Sequence, residues 1–239
     1  MKFYRFLTVL LLLLPSVICA QELFDGQHNQ VDEEGRRQGH WKVFDGNGKL
    51  KFEGSFKDNI PFGEFKYYYP NGTVKAISHI YNNGTEARTK TFHPNGKLMA
   101  EGKYLNEKKD SIWHYYSEFD GILLSEEIYD RGMKTGKWRT FYPDGSVAEL
   151  FTYVDDKKHG PWRQYFTNGS VKLKATYIHG KLEGQITIYH VNGIVNVSGS
   201  YKNNFQDGIW MYFNDEAENT KKEIYEEGDL ISREIYQEE

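Results

Sequence analysis

Six basic side chains recur at one position of a regular cycle: Lys42, Lys66, Lys90, His114, Arg139 and Arg163. Two residues after each stands an aromatic ring: Phe44, Tyr68, Phe92, Tyr116, Phe141 and Tyr165. Residues two apart on a β-strand share a face, so each cation and its ring form one lateral pair. Such a strip suits the docking of an acidic protein, an anionic glycan or a lipid headgroup. A plainer reading stands beside it, in which the aliphatic stems cover the sheet and the charged heads stay in water. The next two positions of the column, Thr187 and Met211, carry no charge.

Other chemistry finds little footing. The eight histidines are spread over different columns of the cycle, and no pair stands at metal-ligand spacing beside a suitable acid. Neither a metal nor another cofactor is expected. No nucleophile elbow or phosphate-binding glycine loop occurs, so no catalytic residue is assigned and a non-enzymatic protein is expected. Lys+Arg 30 against Asp+Glu 34 gives a formal net charge of −4, which offers no global attraction to the phosphates of nucleic acid.

The cycle that positions these residues has a 24-residue step. All five tryptophans, Trp41, Trp113, Trp138, Trp162 and Trp210, fall on it once a single insertion near Glu118 is allowed, and Phe65, Thr89 and Ile186 fill the remaining rungs. Two residues before the rungs stand Gly39, Gly63, Ala87, Ser111, Gly136, Gly160, Gly184 and Gly208; three after them the chain is always Phe or Tyr. An Asn-Gly or Asp-Gly pair follows in seven of the eight units, and each unit closes on Phe56, Ile80, Tyr104, Tyr129, Tyr153, Tyr177, Tyr201 or Tyr225. Each unit therefore reads as strand, turn, strand. The three Pro-Asn/Asp-Gly cases at Pro70, Pro94 and Pro143 fit a type I turn ending in a left-handed glycine.

The expected fold is all-β: an elongated antiparallel meander of about eight β-hairpin repeats in a single twisted sheet. At about 10 Å per hairpin it would extend roughly 75 Å. With Tyr68 opposite Val74 and Lys66 opposite Ala76, one face would carry the rung+3 aromatics, Leu50, Val74, Val147 and the closing tyrosines. The other would carry the tryptophans, as structural repeat residues, with Lys51, Glu53, Lys75, Glu101, Lys172 and Lys174. Only 38% of the chain is hydrophobic and 16% is aromatic, so ring stacking without a central core is expected to hold the sheet. Glu226 to Tyr236 reads as a C-terminal capping hairpin.

The first twenty residues read differently. Lys2 and Arg5, the apolar run Leu7 to Leu14, and Pro15 to Ala20 make a secretory signal peptide with cleavage after Ala20. Residues 21–38 then form a polar leader and 39–239 one repeat domain. Loss of Lys2 and Arg5 leaves 28 basic against 34 acidic residues, a net charge of −6. Lipoprotein anchoring at Cys19 is disfavoured by the bulky Ile18 before it.

The pattern Gly160-Pro161-Trp162-Arg163-Gln164-Tyr165 to Tyr177, repeated through the chain, resembles the MORN-repeat variant of YwqK-type antitoxin proteins. Asp32 to Trp41 is similar to the start of such chains. The resemblance implies a hairpin-repeat sheet that binds a protein partner, a toxin in the named antitoxins. An export signal departs from that cytosolic setting. It leaves two expectations for a periplasmic, outer-envelope or secreted bacterial protein: immunity-like protein binding, or an envelope scaffold that holds glycan or anionic lipid.

Overall fold

The computed structural model describes residues 28–236. The signal peptide, its cleavage site and Cys19 lie outside the described residues. Among the described residues two compact units are distinguished, the first covering 28–96 with 104–108, the second 97–103 with 109–236.

In the first unit the strands are β1 (Gln30–Val31), β2 (Arg37–Phe44), β3 (Leu50–Lys57), β4 (Ile60–Tyr68), β5 (Val74–Tyr81) and β6 (Glu86–Phe92). Each pairs antiparallel with the next. β1 and its turn at Asp32 to Gly35 lie within the segment expected as a leader. β7 (Leu98–Leu105) and β8 (Lys108–Tyr116) follow. The second unit continues through β9 (Leu123–Asp130), β10 (Met133–Lys134), β11 (Gly136–Phe141), β12 (Val147–Val154), β13 (Lys157–Lys158), β14 (Gly160–Tyr165) and β15 (Val171–Ile178). It ends with β16 (Lys181–Leu182), β17 (Gly184–Tyr189), β18 (Val195–Lys202), β19 (Phe205–Phe213), β20 (Asn219–Glu226) and β21 (Asp229–Ile235). The described chain is all strand and turn, an antiparallel hairpin meander in each unit.

Two kinds of turn alternate. Inside a repeat, Tyr69 N–H donates to Thr73 O at 2.8 Å and Gly72 N–H to Tyr69 O at 2.9 Å, with Gly72 at φ +85°. This is the expected three-residue loop, and Tyr68 does lie opposite Val74. Between repeats the connection is two residues that both have positive φ, as at Asp58-Asn59, Asp155-Asp156 and Asn203-Asn204. That is the primed geometry that matches strand twist, supplied here mostly by Asn and Asp. The rung−2 glycines do not belong to turns. Gly63, Gly160 and Gly208 stand within strands at φ +73°, +93° and +75°. Ala87, the alanine in that column, sits where β5 and β6 pair without a bulge.

A second irregularity corrects the expected faces. One extra residue in the returning strand, Lys75 between Val74 and Ala76, shifts the register, so Lys66 opposes Ile77 and Tyr67 opposes Ala76. The same shift recurs at Lys51, Leu124, Ala148, Lys172, Asn196 and Thr220. Side chains alternate with period two, so one inserted residue inverts every assignment beyond it. The closing tyrosines therefore join the tryptophans: Trp138 is 4.6 Å from Tyr153 and 5.4 Å from Tyr129, centroid to centroid. Glu53 and Lys174 move to the opposite face, across from Lys42 and Arg163.

The tryptophan face is the buried one. Phe65, Trp113, Trp138, Ile186 and Trp210 are 2–6% exposed, with Phe56, Ala100, Phe151, Leu173 and Ala175 beside them. A one-sided core thus replaces the expected coreless stack. Three of its rings lie directly on backbone: a Cβ at Gly54, Gly102 or Gly199 would stand 2.2–2.4 Å from Phe65, Trp113 or Trp210. Beside the smaller rungs Thr89 and Ile186 the corresponding positions are Ser78 and Ala175.

Candidate functional site

The face away from this core carries the rung+1 cations. In the first unit its central row reads Lys42, Glu53, Lys66, Ile77 and Lys90 on successive strands. In the second it reads His114, Glu126, Arg139, Leu150, Arg163, Lys174, Thr187, Ser198, Met211, Lys222 and Glu234. The strip expected as basic is therefore laced with acids over much of its length.

Those acids are engaged. Glu53 accepts the Tyr68 hydroxyl and stands 3.6 Å from His40 Nε2, while Lys66 Nζ lies 3.0 Å from Glu64. Tyr68 holds the Glu53 carboxyl below its ordinary pKa, with His40 adding to the effect. Burial and the neighbouring carboxylates, Glu53 and Glu101, push the phenols of Tyr68 and Tyr116 up to about 12, so both remain donors at neutral pH. Glu126 lies between His114 at 3.4 Å and Arg139 at 2.5 Å.

Beyond Arg139 the pattern changes. Arg163 and Lys174 lie directly opposite each other and both are exposed. On this face β11, β12, β14, β15, β17 and β18 place Lys137, Arg139, Leu150, Thr152, Arg163, Lys174, Thr187 and Ser198 in register, with no carboxylate among them. Tyr165 and Tyr189 flank the pair, and Lys174 Nζ stands 5.1 Å from the centre of the Tyr189 ring. Arg139, Leu150 and Tyr165 line a shallow groove here with Lys137, Ser146 and Val147.

The remaining sequence-derived residues take distinct places. Phe44 is half exposed at 51%, and Phe92 and Phe141 are partly covered. Trp41 packs edge-on to Phe56 at 6.1 Å, and Trp162 donates its indole N–H to Glu149 at 2.6 Å. Much of the cation–π contact arises on the buried face, from the unanticipated rung−4 column: Arg37 over Phe56 at 3.9 Å, Lys109 over Trp113 at 4.8 Å, Lys134 over Trp138 at 4.8 Å and Lys158 over Phe151 at 4.3 Å. Lys174 was placed on the other face because its side depends on the bulge, whereas Lys137, two residues before Arg139 on the same strand, shares that residue's face by period two alone and was overlooked. Among the described residues no group of three His, Cys, Asp or Glu is placed to hold a metal ion.

Segments 37–58, 63–83, 86–106, 134–155 and 158–179 match the MORN repeat variant family. Five of the repeats thus match that family's repeat. The other hairpins of the chain keep the same rungs and turns as these MORN units. No curated protein matches the chain. Among solved structures, S. aureus TarM in complex with Fondaparinux, alpha-GlcNAc-glycerol and UDP is 17% identical over 41% of this chain and 19% of its own, with TM-score 0.31. The Photorhabdus luminescens Tc holotoxin pore is 12% identical over 81% of this chain and 12% of its own, with TM-score 0.21. The chain thus spans under a fifth of the solved proteins it matches, and likenesses this distant carry no functional argument.

Proposed function

We propose that this MORN-repeat chain is an exported, non-enzymatic recognition module that binds a protein partner through its outward face, as an antitoxin-like or immunity-like protein would. The observation that carries this reading is the division of labour between faces: one is consumed by the tryptophan core, while the other presents a row of cations interleaved with acids and flanked by tyrosines. The acids within that row and the net charge of −6 of the chain from Gln21 onward weigh against the alternative, a scaffold for anionic lipid or glycan. Toxin neutralisation and placement in a bacterial envelope rest on the family resemblance and the N-terminal pattern of Lys2 to Ala20.

The test is affinity capture with the chain from Gln21 onward, immobilised and exposed to its native envelope fraction. One protein retained in stoichiometric amount, and released by salt, is the expected result. Recovery of glycan or lipid alone would overturn the protein-binding reading.

A further inference from the structure

We infer that Arg163 and Lys174 form the anion seat of the outward face, and that its occupant is an acidic segment of a protein, bound through Asp or Glu carboxylates. The inference rests on the protein-binding reading and narrows it to one place in the sheet. Its starting point is a local violation of pairing rules. Like charges directly opposite in an antiparallel pair repel, and sheets ordinarily place opposite charges there. The chain follows that rule at Lys42–Glu53–Lys66 and at His114–Glu126–Arg139. It breaks it at Arg163–Lys174, where both neighbours in the row, Leu150 and Thr187, are uncharged.

The surroundings fit a carboxylate-bearing chain. A guanidinium offers a planar fork that matches a carboxylate, and Lys174 adds a point charge on the adjacent strand, about 5 Å away. Lys137 extends the positive region to a span of roughly 15 Å from β11 to β15, while Arg139 on the same strand is already paired with Glu126. Tyr165 and Tyr189 wall it with rings and hydroxyls. A membrane surface suits it poorly. Bilayers respond to charge summed over a broad area, and here Glu126 on one side, Glu234 on the other and the net charge of −6 from Gln21 onward oppose approach. A short acidic segment, seated within a Debye length of about 8 Å, experiences the local cations instead.

The probe is a fluorescently labelled hexaglutamate peptide, titrated with the chain and followed by anisotropy. Three proteins are compared: wild type, Arg163→Gln/Lys174→Gln, and Lys42→Gln/Lys66→Gln. Removing the seat is expected to weaken binding at least tenfold, as loss of two charge-assisted contacts requires, while the Lys42/Lys66 variant changes less than about twofold. The Arg163/Lys174 variant relieves a repulsion, so its melting temperature is expected to equal or exceed that of wild type, which separates lost binding from lost fold. Equal weakening in both variants, no binding of the peptide to wild type, or binding to phosphatidylserine vesicles through the same two residues would each overturn the assignment. A partner captured equally well by the Arg163/Lys174 variant would overturn it while leaving the protein-binding reading intact. Failure to capture any protein would instead remove that reading.

Discussion

Replacing Gly102 by alanine is the sharpest test of how the rings are seated. Its new Cβ would stand 2.4 Å from Trp113 Cδ2, 2.5 Å from Cε2 and 2.6 Å from Cγ, where carbon pairs prefer about 3.5–4 Å. Trp113 is 2% exposed, so the ring must lift by about 1 Å against packed neighbours. Overpacking of that kind costs about 1–3 kcal/mol. The displacement also loosens the 2.9 Å bond from Trp113 Nε1 to Lys103 O, adding about 1 kcal/mol. The expected total is about 2–4 kcal/mol, which at a urea slope of about 2 kcal/mol/M lowers the midpoint by about 1–2 M. Tryptophan fluorescence in a urea titration reads it. Gly46→Ala is the control, because its Cβ meets nothing and its φ is ordinary. The Ala175–Ile186 pair shows how the chain itself resolves the clash, so Gly102→Ala combined with Trp113→Ile should cost at least about 1 kcal/mol less than the two single changes added. A Gly102→Ala protein within about 0.5 kcal/mol of wild type, or strict additivity in the cycle, would refute the seating argument.

Glu223 is 1% exposed; burial alone would raise its pKa, but bonds from Tyr212, Lys221, Arg233 and Tyr225 outweigh that and hold it at about 2, below its ordinary 4.5. A depressed carboxyl stabilises fully above pH 4.5 and loses that contribution as pH falls toward 2, so melting temperature should drop across that window and Glu223→Gln should flatten the drop. Ser78 and Thr89 share a buried hydroxyl bond of 2.8 Å. Ser78→Ala alone should cost about 1–3 kcal/mol in chemical denaturation, and Ser78→Ala with Thr89→Val should recover most of it. Gly160→Ala, at φ +93°, should cost about 1–2 kcal/mol through backbone strain. Ala87→Gly, in regular backbone, should cost only about 0.5–1 kcal/mol in the same assay.

The repeat was legible because its markers are chemically specific. Asn-Gly announces a positive φ, tryptophan announces a buried rung, and the 24-residue step ties them together. The faces were not legible. The inserted residue is Lys in three repeats but Leu, Ala, Asn or Thr in the others, so its type does not mark it, and one miscount of parity moved Glu53 and Lys174 to the wrong side. A signal did exist in the columns either side of it. Gly54, Gly102 and Gly199 accompany the ring rungs Phe65, Trp113 and Trp210, where the ring lies flat on bare backbone, while Trp138 and Trp162 face Phe151 and Ala175 instead. Arg37, Lys109, Lys134 and Lys158 were overlooked for another reason: a cation that covers an aromatic core looks, in sequence, like any solvated lysine or arginine.

The one-sided core makes each rung depend only on the strands beside it. Trp138 is enclosed by Tyr129 of the preceding repeat and Tyr153 of its own. Loss or duplication of a whole 24-residue period would therefore reproduce the same seams at the joints, and the gene can lengthen or shorten its product by unequal exchange without inventing new packing. Each added copy brings one more rung to the inner face and one more row to the outer. The recognition surface is thus free to diverge copy by copy while the interior stays constant, as the change from Glu126 to Leu150 to Lys174 at one column already records.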